Sequence, residues 1–298
     1  MSHVATLISN PTAPALSTAL IERVRAGLPG AGAPAILADG IAADIPFALP
    51  AGLNPRGLAD IVRNALQPAP VDVVIQPAAG RRKRLFLTDM DSTVIEQECI
   101  DELADYVGKK AYVASITERT MRDEIDFEPA LRKRVALLKG LPVSVIDEVL
   151  RERITLMPGG RVLVSTLRKH GAYTCLISGG FTQFTEAIAA ELGFDDNRAN
   201  LLEIEDGKLT GTVVEPVLGR EAKLAALRMF AGRLKLKPEE TLVAGDGAND
   251  LLMIEAAGLG VAYRAKPAVA VAAAARIDHG DLTALLYAQG YRREEFVE

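Results

Sequence analysis

Apolar residues recur along this chain in two rhythms, and the switches between them mark its elements. Val4 to Ile8 reads as a short strand. In Ala15 to Leu28, apolar residues at Leu16, Ala19, Leu20, Ile21 and Val24 lie on one helical face. Ala35 to Leu37 and Ile41 to Phe47 flank Asp39-Gly40, a hairpin signal, so both are read as strands. Pro55 to Leu66 has the early proline of a helix start, and Val71 to Ile75 is a further strand. The resulting order, β-α-β-β-α-β, is that of the ferredoxin-like split unit and sets apart an α+β domain over residues 1–78. Pro77 to Gly80 and the basic run Arg81-Arg82-Lys83-Arg84 then read as a solvated linker.

A second pattern fills residues 84–298. Leu85 to Thr88 is a short buried strand. Residues from Gln97 to about Leu156 show only helical spacing, in Asp101 to Val107, Lys109 to Arg119, Glu128 to Leu138 and Val143 to Ile154. Such a block inside a βαβ rhythm reads as an inserted helical cap at about 97–156. The rhythm resumes with a helix at Gly160 to Lys169, a strand at Ala172 to Ile177 and a helix at Thr182 to Leu192. Leu201 to Glu205 and Lys208 to Val214 form a hairpin around Asp206-Gly207. Glu221 to Leu234 is a helix, Thr241 to Ala244 a strand, Asp250 to Ala257 a helix and Gly260 to Tyr263 a strand. Ala268 to Ala275 reads as a buried helix or strand. Alternating strands and helices predict an α/β fold with a doubly wound parallel sheet.

Three apolar strands end in polar residues: Asp89-Met90-Asp91-Ser92-Thr93, Ser178-Gly179-Gly180, and Gly245-Asp246-Gly247-Ala248-Asn249-Asp250. In a parallel sheet these ends share one edge and converge on one crevice. Carboxylates there suit phosphoryl transfer, one attacking phosphorus and another handling the proton. Asp89 and Asp246 can offer oxygens to a hard cation such as Mg²⁺, which offsets the repulsion between a phosphate dianion and carboxylates. Ser178 can donate its hydroxyl, and Gly179 and Gly180 let amide groups approach the phosphate. Lys223 taken alone is a surface lysine; next to this pattern it supplies fixed positive charge.

Composition narrows the partners. The chain has 298 residues and a formal net charge of −5, which gives no reason to expect nucleic acid or an anionic membrane. No apolar run is long enough to span a bilayer. Cys99 and Cys175 are expected to be reduced thiols in a cytoplasmic protein. His3, His170 and His279 have no metal-ligand spacing and read as structural or surface residues.

The four segments at 89–93, 178–180, 223 and 245–250 are similar to the four motifs of the haloacid dehalogenase (HAD) superfamily of phosphohydrolases, in order and spacing, over about residues 84 to 285. The resemblance implies that Asp89 is a nucleophile forming an aspartyl-phosphate, and that Asp91 is the general acid and then the base for water. It implies metal binding by Asp89, Asp246 and the main-chain carbonyl of Asp91. Asp250 would orient a metal-bound water or a neighbouring ligand, and Asn249 would help position the substrate or Lys223. The runs Glu96 to Asp101, Thr120 to Val135 and Leu137 to Leu141 resemble the cap of phosphoserine phosphatases. That likeness implies Glu98 for a substrate ammonium, Arg134 for its carboxylate, and Met121 and Phe127 as shields of the closed site. The expected reaction is then L-phosphoserine plus water giving L-serine and phosphate, the last step of L-serine biosynthesis. The alternatives are hydrolysis or phosphotransfer with another small phosphomonoester, or, in a different class, a non-catalytic amino-acid sensor. The N-terminal unit resembles ACT domains in element order. Its first strand-to-helix connection, Ser9 to Pro14, lacks a glycine, so packing or homodimer formation is as good an expectation there as ligand binding.

Overall fold

The computed structural model describes residues 1–298. The first strands and helices are β1 (His3–Ser9), α1 (Thr18–Gly27), β2 (Ala35–Ala38), β3 (Ala42–Phe47), α2 (Pro55–Leu66) and β4 (Val71–Pro77). They build a four-stranded antiparallel sheet in the order β2-β3-β1-β4, which is the arrangement the split unit predicts. Ser17 caps α1 by accepting from the Leu20 amide, and Asn54 caps α2 just before Pro55. Successive residues of β1 face opposite ways: Leu7 packs with Val24, Val62 and Val73 beneath the two helices, while Ile8 packs with Leu285 and Tyr287 near the carboxyl terminus. Burial on both faces also encloses Thr6, whose hydroxyl donates to Asp44 Oδ1 at 2.7 Å.

The basic run that follows is not the solvated linker expected from sequence. Arg81 Nη1 lies 2.6 Å from Asp44 Oδ2, and its Nη2 donates to the Ala288 carbonyl at 3.1 Å. The buried Lys83 ammonium donates to the carbonyls of Gly80 at 2.9 Å and Glu239 at 2.8 Å. Only Arg82 and Arg84 remain exposed. Nearby, the buried Asp72 carboxylate accepts from the amides of Asp278, His279 and Gly280. Charge and amide dipoles thus fasten the antiparallel sheet to the rest of the chain.

The second sheet begins with β5 (Leu85–Thr88), after which the chain leaves for α3 (Cys99–Asp105), α4 (Lys110–Met121), α5 (Phe127–Ala136) and α6 (Ser144–Glu152). It returns through α7 (Gly160–Lys169), β6 (Tyr173–Phe181), α8 (Thr182–Leu192) and β7 (Asp196–Asn200). The hairpin β8 (Leu202–Glu205) and β9 (Lys208–Val213) follows, then α9 (Arg220–Arg233), β10 (Thr241–Gly245), α10 (Leu251–Ala256), β11 (Leu259–Tyr263), α11 (Pro267–Ala272), β12 (Ala275–Ile277) and α12 (Ala284–Ala288). The six-stranded sheet runs β12-β11-β10-β5-β6-β7 and is parallel throughout. Phe86, Leu242 and Val261 point into one apolar layer, and Leu85, Leu87, Val243 and Ala262 into the other, so both faces are covered.

Several details differ from the sequence reading. The cap does hold the four helices that the spacing marks out, and an antiparallel bridge from Ile95 to Leu156, which the spacing did not show, closes it. Strand β6 continues through Ser178-Gly179-Gly180 instead of ending before it. Strand β7, Asp196–Asn200, has no apolar alternation because it is an edge strand, and it was not foreseen. The stretch at 268–275 is mostly helical and only partly buried, with Val269 inside and Val271 facing solvent. The hairpin β8–β9 serves the cap: Gly140 donates to the Leu209 carbonyl at 2.8 Å.

Candidate active site

Register fixes where the polar strand ends meet. Thr88 of β5 stands opposite Ala244 of β10 on one side and Leu176 of β6 on the other. Asp89 therefore lies one residue beyond the aligned level, and Asp246 and Ser178 two residues beyond it, all at the carboxyl edge of the sheet. The Asp89 amide still bonds the Ala244 carbonyl at 3.0 Å, which ties the start of the loop to the sheet. Ser92 then turns the chain in a left-handed conformation, φ 55°.

Three carboxylates gather there. Oxygens of Asp89, Asp246 and Asp250, all buried, lie within 4.8 Å of one another. Burial, then the neighbouring charge of Asp89, pushes Asp246 up to about 7; a hydrogen bond from Thr93 Oγ1 at 3.1 Å works the other way. Asp250 is raised well above its ordinary value by the same two causes. Such a cluster is electrostatically unsatisfied without cations. One cation is internal: Lys223 Nζ, fully buried, sits 2.8 Å from Asp89 Oδ2 and 2.7 Å from Asp250 Oδ1. Burial opposes its charge, but Asp250 and Asp89 outweigh that and hold its pKa above the usual value. Lys223 thus sits where the motif pattern, though not the residue taken alone, put it. The remaining charge and the all-oxygen donor set fit a hard divalent ion.

Asp91 is turned away from this cluster. Its Oδ1 accepts from the Cys99 amide at 2.9 Å and its Oδ2 from Ser178 Oγ at 3.2 Å. Burial and then the Asp89 charge raise it to about 6, against the lowering effect of those hydrogen bonds. Ser178 Oγ also accepts from the Gly180 amide at 2.8 Å.

The cap closes over this edge. A cavity is lined by Asp89, Asp91, Asp246, Asn249, Ser178, Gly179 and Gly180 from below and by Glu98, Met121, Phe127 and Arg134 from above. Phe127 lies against Gly179 so tightly that an added Cβ would meet its Cζ at 2.6 Å. Met121 Sδ stands beside Gly247. Glu98 is half-buried, accepts from Ser92 Oγ at 2.7 Å and has no salt bridge. Its carboxyl is held well above the ordinary range by burial and then by Asp91 and Asp246. Arg134 is buried to 2% exposure and also has no salt bridge; it donates from Nε to the Ala130 carbonyl at 3.2 Å and from Nη1 to Thr117 Oγ1 at 2.9 Å. Burial lowers its pKa, with Glu98, Asp101 and Asp91 offsetting that.

All of the residues singled out in the sequence meet in or directly behind this cavity. For two of them the geometry adds detail. Asp250 belongs to the carboxylate cluster itself, and with Asp89 it holds Lys223; Asn249 makes no contact of that kind and leaves its buried Oδ1 without a partner. Sequence reasoning passed over Ser92, Thr93, Asp101 and Thr117. The first two lie inside the Asp89–Thr93 motif and Asp101 ends the run Glu96 to Asp101, which were the available signals; Thr117 carried none.

The family model of haloacid dehalogenase-like hydrolases matches residues 86–255. The chain is 46% identical over 227 residues to phosphoserine phosphatase SerB2 of Mycobacterium tuberculosis, covering 76% of this chain and 55% of that protein. It is 49% identical over 208 residues to the phosphoserine phosphatase of Polaromonas sp., covering 68% of this chain and 88% of that protein. The chain thus spans about half the length of the mycobacterial relative and most of the Polaromonas one. Among solved structures, a phospho-aspartyl intermediate analogue of phosphoserine phosphatase superposes with a TM-score of 0.66 at 39% identity, covering 69% of this chain and 98% of that one.

Proposed function

The chain belongs to the haloacid dehalogenase-like hydrolase family, alongside its phosphoserine phosphatases, and we propose that it hydrolyses L-phosphoserine to L-serine and phosphate, the last step of L-serine biosynthesis. One observation carries the choice of substrate. A buried guanidinium in direct contact with no carboxylate, Arg134, and a carboxyl group without a cation, Glu98, line the same cavity above the carboxylate cluster. Buried charges are normally paired. A ligand bearing a carboxylate, an ammonium and a phosphate completes both pairs.

The proposed chemistry follows from the carboxylates. An Asp89 oxygen attacks phosphorus, and the O–P bond forms as the ester bond to the serine oxygen breaks. Asp91, raised to about 6, keeps a proton near neutral pH more readily than an ordinary carboxyl and passes it to the departing alkoxide. Water then attacks the phosphoryl group, Asp91 takes its proton, and phosphate leaves with Asp89 regenerated. Ser178 and the Gly179 amide are assigned to the phosphoryl oxygens, the Gly180 amide holds the Ser178 hydroxyl in place, and Lys223 neutralises charge behind Asp89. Mg²⁺, held by Asp89, Asp246 and the Asp91 carbonyl with Asp250 beside it, would supply further charge neutralisation. Met121 and Phe127 exclude water from the closed site.

Residues 1–78 and 84–298 are taken as two domains on the strength of their separate sheets, with the cap inserted at about 97–156. No helix is long and apolar enough to cross a membrane. The two cysteines are free and buried, which supports a reducing cytoplasm as the place of action.

The test is phosphate release with and without Mg²⁺ on L-phosphoserine, O-phosphoethanolamine and an aryl phosphate, for the natural chain and for Arg134→Ala. Preference for phosphoserine that Arg134→Ala abolishes supports the reading. Equal turnover of all three by the natural chain overturns it.

A further inference from the structure

Arg134 is held in an unusual way for a buried arginine. Its Nη1 donates to Thr117 Oγ1 at 2.9 Å, and Thr117 Oγ1 lies 2.7 Å from Asp101 Oδ1. The three residues come from α5, α4 and α3, and all are buried. A hydroxyl has one proton to give. Since Arg134 can only donate, Thr117 must accept from it and direct its own proton elsewhere. The choices are Asp101 at 2.7 Å and the Val113 carbonyl at 3.1 Å. The shorter contact and the charged acceptor favour Asp101. Asp101 has no salt bridge and no other side-chain donor. The guanidinium and this carboxylate are therefore an ion pair spaced by one hydroxyl.

The spacing has a consequence for binding. A direct Asp–Arg pair would occupy two nitrogens of the guanidinium and cancel its charge. The threonine fixes the plane of the group through Nη1, the Ala130 carbonyl fixes it through Nε, and Nη2 keeps no protein partner. Orientation is set from behind while the ligand-facing edge stays open.

We propose that Thr117 and Asp101 are positioning residues that aim Arg134, and so set selectivity for phosphomonoesters that carry a carboxylate. The inference rests on the reading of Arg134 as the carboxylate-binding group. It gives the cap helices a role beyond covering the site, because a shift of α3 or α4 relative to α5 would re-aim the guanidinium.

The experiment compares kcat and KM on L-phosphoserine and on O-phosphoethanolamine, which keeps the phosphate and ammonium and lacks the carboxylate. Thr117→Val retains shape and loses the hydroxyl. It is expected to raise KM for phosphoserine by roughly 10-fold or more, the scale of one hydrogen bond to a charged group, with little change in kcat. Kinetics on phosphoethanolamine should change less than about threefold, within the scatter of a surface substitution. Thr117→Ser should restore phosphoserine KM. Asp101→Asn is a second variant with the same expected split, should Thr117→Val not fold. Loss on both substrates alike, or no rescue by serine, overturns the proposal. If Arg134→Ala discriminates between the substrates and neither Thr117→Val nor Asp101→Asn does, the relay fails and the head-group assignment stands. If Arg134→Ala does not discriminate either, both fail.

Discussion

Lys223 Nζ bridges Asp89 and Asp250, at 2.8 Å and 2.7 Å, with no solvent contact for the ammonium. The lysine comes from the first turns of α9 and Asp89 from the end of β5, so the bridge fixes how that helix sits over the sheet edge. It also supplies the internal positive charge among three crowded carboxylates. Replacing Lys223 with methionine should destabilise the protein by roughly 3–5 kcal/mol, since two buried carboxylates lose their partner. Urea unfolding without metal measures this; a midpoint within error of the natural chain would show that the ammonium is not needed for the fold.

Asp91→Asn separates the two chemical steps. An alkoxide leaving group needs the acid, so turnover of phosphoserine should fall by about 10²–10⁴-fold. The phenolate of an aryl phosphate leaves without an acid, so this substrate should still phosphorylate Asp89 and give a burst of one phenolate per chain before slow hydrolysis. Absence of a burst, or steady turnover equal to the natural chain, contradicts the role given to Asp91. Asp89→Asn should abolish both burst and turnover in a chain that still folds, because Lys223 keeps Asp250 as its partner.

Asp91 and Asp246 are raised to about 6 and about 7 by burial and then by Asp89. A raised carboxyl pKa means the folded, metal-free chain binds the proton more tightly than the unfolded one. That contribution to stability is complete below the ordinary value of 3.8 and is lost as pH rises through about 6 and about 7. A divalent cation competes with the Asp246 proton, so the rise in Tm on adding Mg²⁺ should grow as pH rises towards about 7. Thermal melts between about pH 5 and about pH 8 test it. A metal-induced shift that is flat with pH, or one that shrinks as pH rises, contradicts the assignment. Asp246→Asn should flatten the metal-free slope.

Gly179 and Phe127 touch across the cavity, and a Cβ on Gly179 would meet the ring at 2.6 Å. Gly179→Ala should push the ring aside and lower kcat/KM on phosphoserine by on the order of 10²-fold through misplacement of the closed cap. Phe127→Ala should cost much less in the Gly179→Ala background than alone, because the clash is then gone. Additive effects in a double-mutant cycle would mean the contact does not govern closure.

Arg81 clamps Asp44 of the antiparallel sheet to the carbonyls near Ala288. Arg81→Ala should weaken the N-terminal unit by roughly 3–5 kcal/mol and let it unfold ahead of the remainder in urea. A single unshifted transition would show that Asp72 and the apolar contacts hold the junction unaided.

The arginine that was read as a solvated linker shows where sequence reading stopped. Four basic residues in a row have the same local signature whether they face water or grip a buried aspartate 37 residues away. Strand β7 was lost for a related reason: an edge strand of Asp, Asn and Arg takes its place from its neighbour β6, not from its own alternation. Thr117 and Asp101 belong to ordinary helical spacing, and their meeting with Arg134 depends on how three helices pack.

By itself the sequence determined the rhythm of strands and helices, the inserted block of helices, and the polar ends of three strands, because backbone preference and apolar periodicity act over a few residues. It therefore also determined which carboxylates could share one sheet edge. Tertiary structure alone decided that Lys223 is buried between Asp89 and Asp250, that Asp91 turns toward Ser178, and that Arg134 is aimed through a hydroxyl. Those contacts join residues far apart in the chain, where burial, unpaired charge and register set the outcome and no local pattern records it.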